Sequence, residues 1–143
     1  MTSSTNFDKL CERIARAEIN FGSDTFKFIL VGVAPTAANL AAWVTRSDVT
    51  NEVSTSGSYI NGTGGAVTPS VALDTANHWA AVTFGSPSAF TGATISAVGA
   101  IIYKVTGSSA TDPLVSYVDF GGTISSTAGT FSTTFTTPLK IAR

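Results

Sequence analysis

The segment from Ile95 to Phe120 constrains the fold most, because it predicts two strands joined by a polar turn. Its first arm, residues 97–105, is apolar on both faces, as is typical of a strand covered on both sides. The turn at residues 106–113 concentrates Gly, Ser, Thr, Asp and Pro, which favour turn backbone angles. In the second arm, residues 114–120, successive side chains alternate between the two sides of a strand. We therefore predict a core hairpin that ends at the Gly pair 121–122.

A leading helix is predicted over about residues 6–20. Thr5 and Asp8 fit a variant of the capping box at its start. Glu12 and Arg16 are spaced to pair on its flank. The apolar face consists of Leu10, Ile14, Ala17 and Phe21, which recur at helical spacing. These residues are expected to dock the helix on the sheet.

The rest of the chain predicts short strands separated by turns. Strand patterns cover residues 25–33, 66–73, 78–84, 130–136 and 139–142, with a short helix at residues 36–43. Pro69 within one of these patterns indicates an edge strand or a bulge. Even spacing without βα alternation favours a mainly β fold, an antiparallel β-sandwich or jelly roll with one N-terminal helix. The length of 143 residues predicts a single domain, residues 1–143.

Charged residues are few and unevenly placed. They make up 12% of the chain, against about 25% in typical soluble domains. Asp74 is the only charged residue between Val53 and Tyr103. Such a region is either a strand-rich surface of Ser, Thr and Asn, or a face covered by another subunit, since interface cores are depleted of charge. The second interpretation predicts a homo-oligomer.

Several classes of function are disfavoured by composition. A net charge of −1 provides no cluster of basic residues for nucleic acid. The sequence contains no apolar run long enough to predict a membrane span or a secretion signal. The lone Cys11 cannot form an internal disulfide and is interpreted as a semi-buried small hydrophobe.

No catalytic, cofactor or metal site is predicted. His78 is the only histidine, and Asp74 alone cannot complete a ligand set with it. The glycines around residues 61–65 are not followed by the Lys of a phosphate-binding loop. Trp43, Tyr59 and Trp79 leave open a sugar-stacking platform, hence a carbohydrate-binding β-sandwich, although core positions are favoured for them.

The sequence AIIYKVTGSSATDPLVSYVDFGG, residues 100–122, resembles small structural proteins of tailed-bacteriophage virions. The layout of helix and strands elsewhere is similar to that family. The resemblance implies a non-enzymatic role, foremost as a capsid decoration or cement protein located in the virion and made in the host cytoplasm. Its expected partners are the major capsid protein or other virion proteins, and a neck, tail or fibre component is the alternative. The polar turns are the expected contact surface, with candidate residues Asn61, Gly62, Thr63, Ser108, Ser109, Thr111 and Asp112.

Overall fold

Seven strands form one antiparallel sheet in the computed structural model, which describes residues 3–142. Along the sheet the strands lie in the order β1-β6-β5-β2-β3-β4-β7. Their bounds are β1 Ser3–Asn6, β2 Phe26–Val31, β3 Gly65–Asp74, β4 Trp79–Gly85, β5 Phe90–Lys104, β6 Leu114–Phe131 and β7 Leu139–Ala142. Two short helices, α1 (Lys9–Ala15) and α2 (Ala37–Ala42), and a 3-10 turn (Arg46–Asp48) complete the described chain.

The sheet curls until its two edge strands meet. The Ser4 hydroxyl donates to the Pro138 carbonyl at 3.0 Å, and the Asn6 side-chain amide donates to the Lys140 carbonyl at 3.3 Å. These side-chain bonds join β1 to β7 and leave the sheet nearly closed. The predicted mainly β, antiparallel fold with an N-terminal helix is confirmed.

Two apolar clusters lie on opposite faces of the central strands. The larger cluster contains residues of six strands, including Phe28 and Ile102, and therefore fills the interior that the curved sheet encloses. The smaller includes Ile29 and Ile101 on the outer face, where Leu40 of α2 packs against it. The prediction that the first arm of the hairpin is covered on both sides is thereby confirmed.

The leading helix is much shorter than predicted. It covers Lys9–Ala15 only, and residues 3–6 form a strand paired with β6 instead of the start of a helix. The predicted capping box is wrong, because Thr5 lies in β1 and the Asp8 N–H donates to the Leu40 carbonyl at 3.2 Å instead of to the Thr5 hydroxyl. Ala17 has φ of 58° and is exposed, because the chain turns left-handed there and leaves the helical face. The predicted pair is present, with Arg16 Nε donating to Glu12 Oε1 at 3.0 Å.

The second arm of the hairpin does not end at the glycine pair. Strand β6 continues to Phe131, and its register with β5 shifts from Gly99–Asp119 to Ala97–Ile124, so β6 carries extra residues in between. Gly121 takes φ of 76°, and its N–H donates to Asp119 Oδ1 at 2.8 Å. The two glycines therefore form a bulge inside one long strand.

The remaining short elements follow the sequence patterns with one exception. Helix α2 has Thr36 as its N-cap, as predicted, with the Asn39 N–H donating to the Thr36 hydroxyl. The strand predicted over residues 130–136 is wrong, because the chain leaves the sheet after Phe131. Phe135 is nevertheless buried against Phe28, so its burial depends on a tertiary contact rather than on strand pairing. No helix within residues 3–142 has the length and apolar character required to cross a bilayer.

Candidate interaction surface

The two polar loops that were predicted to make contacts are brought together by one arginine. Arg46, in the 3-10 turn, donates from Nε to Asp112 Oδ2 at 2.9 Å and from a terminal nitrogen to the Gly62 carbonyl. Asp112 belongs to the loop between β5 and β6, and Gly62 to the loop before β3. The guanidinium therefore links two loops that lie far apart in the sequence.

Asp112 is the most constrained member of this arrangement. The residue is 2% exposed, and its carboxylate accepts from the Thr106 N–H at 2.7 Å and the Thr106 hydroxyl at 2.9 Å as well as from Arg46. Burial alone raises the pKa of Asp112, but the bonds from Thr106 and the pairing with Arg46 outweigh it, so the pKa lies below its ordinary value. The ionised form is thus stabilised by the fold.

Tyr103 supports the same two loops from the sheet. The Arg46 guanidinium carbon lies 5.0 Å from the centre of the Tyr103 ring, a cation–π distance. The Tyr103 hydroxyl donates to the Thr63 carbonyl at 3.0 Å. Burial raises the pKa of Tyr103 to about 12 despite the nearby Arg46 charge, so the hydroxyl keeps its proton and remains a donor.

Glu52 and Tyr59 hold the first loop from its other side. Glu52 Oε1 accepts from the Tyr59 hydroxyl at 2.8 Å and from the Gly62 N–H at 2.7 Å. The Tyr59 oxygen in turn accepts the Leu30 N–H of β2 at 3.0 Å. Burial, and then the Glu52 charge, raises the pKa of Tyr59. The Gly62 peptide is therefore bonded on both sides, by Glu52 at its N–H and by Arg46 at its carbonyl.

The seven candidate contact residues differ in exposure. Asn61, Thr63, Ser108 and Thr111 are exposed, and we call these four the loop surface. Gly62 and Ser109 are half-buried. Asp112 is buried and fully bonded, so its assignment as a contact residue is corrected to a residue that shapes the loops.

Hydrogen bonds inside each loop hold the loop surface in place. The Asn61 side-chain amide donates to the Val53 carbonyl at 2.9 Å. In the other loop, the Ser108 carbonyl accepts from the backbone N–H groups of Thr111 and Asp112 at 3.0 and 2.9 Å. The Thr111 and Thr106 hydroxyls lie 2.6 Å apart. The surface is therefore neutral, polar and preformed.

Sequence reasoning missed Arg46, Glu52 and Tyr103 as the residues that organise this surface. Arg46 and Glu52 lie in a polar connection with no regular pattern, and Tyr103 occupies a core strand position. The Arg46–Asp112 pair spans 66 residues, which no periodicity can indicate. The one local signal was Asp112 before Pro113, an acidic residue in a turn.

The other residues singled out in the sequence lie apart from this surface. Tyr59 is fully buried, and Trp43 packs against the smaller apolar cluster on the outer face of the sheet. The Trp79 ring centre lies 4.2 Å from Lys140 Nζ. The three aromatic residues therefore form no common platform. Cys11 is exposed on α1, which corrects its interpretation as semi-buried. Within residues 3–142, His, Cys, Asp and Glu side chains form no group of three or more suited to a metal ion.

Comparison of the chain with protein-family models, with curated protein sequences and with solved structures finds no match. Its function is therefore inferred from the residues of the loop surface and from the segment that holds them.

Proposed function

We propose that this protein is a non-enzymatic structural component of a phage virion, a capsid decoration or cement protein that binds the assembled shell as a homo-oligomer. The observation that carries the proposal is the loop surface, a preformed and neutral polar patch held by the pair of the half-buried Arg46 and the buried Asp112. Residues 100–122, which resemble virion proteins, contain one of its two loops and the Tyr103 that supports the other.

A preformed surface suits repeated docking on a lattice. Because Arg46, Tyr103 and Glu52 already order the loops, binding loses little conformational entropy. Each copy in an oligomer raises the effective concentration of the next at its site on the shell. Weak neutral contacts from Ser, Thr and Asn therefore suffice for stable decoration.

The location of the protein tests the proposal directly. We expect electron microscopy of particles with and without the protein to show added density at regular positions on the head shell. Density at the neck, tail or fibre would instead place the protein there, and unchanged particles would refute a virion role.

A charge placed on the loop surface tests the docking residues. Thr63→Arg is expected to weaken binding to shells, because a positive charge enters a neutral contact. Thr130→Arg is the matched control, since Thr130 is also exposed but lies near the end of β6 away from the loop surface. Equal binding by both variants would remove the loop surface from the contact.

Salt provides a further check on the chemistry of binding. Raising ionic strength from about 0.05 to about 0.5 M shortens the screening length severalfold. Retention of the protein on shells across this range is the expected result, because the loop surface is uncharged. Release at high salt would point to the charged residues of the first 52 positions instead.

A further inference from the structure

Strand β3 extends beyond its neighbour and has one open edge. Strand β2 pairs only with Gly65–Val67, whereas β4 pairs with β3 from Thr68 to Asp74. Within residues 3–142 no strand lies along the other side of residues 68–74. The four consecutive residues 70–73 are all exposed, Val71 by 53% and Leu73 by 73%. Nothing in the described chain therefore covers this end of β3.

The alternation of strand pairing identifies the backbone groups that face the open edge. The Ala66 carbonyl accepts from the Ser88 N–H, on the side of β3 where β4 lies. Successive residues of a strand direct their backbone N–H and C=O groups to opposite sides, so those of the even-numbered residues of β3 point towards β4. Pro69, Val71 and Leu73 therefore direct their backbone groups to the open side. Pro69 lacks an N–H at this edge, in agreement with the first of its two predicted settings, an edge or a bulge. The N–H and C=O groups of Val71 are the centre of the unpaired row.

We propose that this edge pairs with the same edge of a second copy of the chain, antiparallel about a twofold axis at Val71. The Val71 N–H and C=O of each copy then bond those of the other. The Leu73 N–H of each copy donates to the Pro69 carbonyl of the other. Pro69 acts only as an acceptor in this bond, so its missing N–H does not prevent the pairing. The two sheets become continuous across the interface, a mode of association open to exposed strand edges.

The side chains of this register favour a second copy as the occupant. Val71 lies opposite Val71, and Leu73 lies opposite the half-buried Pro69, so each exposed apolar side chain meets an apolar partner on one face. Asp74, the only charge in the strand, lies opposite Thr68, so no like charges meet. The apolar face that Val71 and Leu73 share continues into the fold through their β4 partners Val82 and Ala80.

The inference does not depend on the proposed virion role, because it is argued from the edge of β3 alone. It can be tested on the purified full-length chain without particles. Failure of the edge pairing would leave the contacts of the loop surface intact, and the oligomer of the proposed function would then have to form through another interface.

Cysteine cross-linking tests the register. In a Cys11→Ser background, which removes the exposed native thiol, Val71→Cys places two thiols opposite each other at about 5.5 Å between Cα atoms, within disulfide range. Ser70→Cys is the matched control. It lies opposite Ala72, so the two Ser70 Cα atoms stand about 8 Å apart, beyond the ~7 Å limit. We expect a disulfide-linked dimer from the Val71 variant only.

Sedimentation of the wild-type chain up to millimolar concentration tests the association itself. Val71→Lys, which opposes two like charges at the axis, is expected to raise the dimer dissociation constant about tenfold or more. Val33→Lys is the control, because Val33 is 66% exposed on another part of the surface. Circular dichroism checks that each variant is folded. A monomer at every concentration, a dimer unchanged by Val71→Lys, or equally fast cross-linking at position 70 would overturn the proposal.

Discussion

The middle of β5 and the end of β3 are both apolar runs of strand, yet one is buried on both faces and the other on neither. Ile101 and Ile102 of β5 are 0% exposed and belong to the outer and inner clusters respectively. Val71 and Leu73 of β3 are more than half exposed. The difference lies in what surrounds each strand, because β5 has β2 and β6 beside it and α2 over its outer face.

This comparison shows that apolar content alone does not place a strand in the core. Burial of β5 depends on segments far away in the sequence, such as Leu40 and Trp43, that cover its outer face. The end of β3 lacks such a cover within the described chain. Its apolar residues are thus available for association, and substitutions in the two regions are expected to differ in their effect on stability.

The largest effect is expected from truncating a residue of the covered region. Ile101→Ala removes a fully buried side chain from the outer cluster and should lower the free energy of unfolding by about 2–5 kcal/mol. Val71→Ala, at the uncovered end of β3, should change it by less than about 0.5 kcal/mol at concentrations where the chain is monomeric. Urea unfolding of both variants measures the difference. Equal losses would mean that the end of β3 is covered in solution.

A second comparison uses two glycines with positive φ. Gly64→Ala should destabilise the fold by more than the about 1–2 kcal/mol of a left-handed residue, because its Cβ would lie 1.9 Å from the Phe28 carbonyl oxygen of β2, the strand beside β5. Gly107→Ala has nothing within 4 Å of its Cβ and should show the left-handed cost only. Thermal unfolding ranks the two. A larger loss at Gly107 would contradict the close packing beneath Gly64.

Acid unfolding is expected to depend on Asp112. Because its folded pKa is lowered, the ionised carboxylate contributes stability above the unfolded-chain value of about 3.9, and this is lost as pH falls through the lower folded pKa. Asp112→Asn should cost about 1–3 kcal/mol at neutral pH and flatten the acid limb of a stability–pH curve.

Asp74→Asn is the comparison for this acid limb. Bonds from Asn77 also lower the pKa of Asp74, but this carboxylate is solvent-screened at the end of β3, so a smaller change is expected. An unchanged acid limb in Asp112→Asn would show that the Arg46–Asp112 pair does not control acid stability.

The smallest effect is expected at the exposed contact between β7 and β4. Lys140→Met keeps the stem over the Trp79 ring but removes the charge, and should cost about 0.5–1 kcal/mol. Chemical denaturation at low and high salt measures it. A loss as large as that of Ile101→Ala would show that this end of the sheet is held as tightly as the covered middle.

Local patterns in the sequence were sufficient for the elements whose residues carry their own signals. The two-sided apolar run at Ile101 and Ile102 predicted a covered strand, Thr36 predicted the cap of α2, and Pro69 predicted an edge or a bulge. Each of these depends on the chemistry of a residue and its near neighbours: apolar surface, a side-chain acceptor near free N–H groups, and a missing donor. Turn residues likewise placed the loops that carry the loop surface.

Tertiary structure alone decided how these elements are joined and which residues face outward. Residues 3–6 became a strand because β6 offered an unpaired edge, and the pair at Gly121 and Gly122 became a bulge because β5 continued beside it. Asp112 moved from the predicted contact surface to the interior because Arg46, 66 residues away, neutralises it. The hydrogen-bond partners, neighbouring strands and counter-charges that decide these outcomes come from distant segments, so no local sequence pattern specifies them.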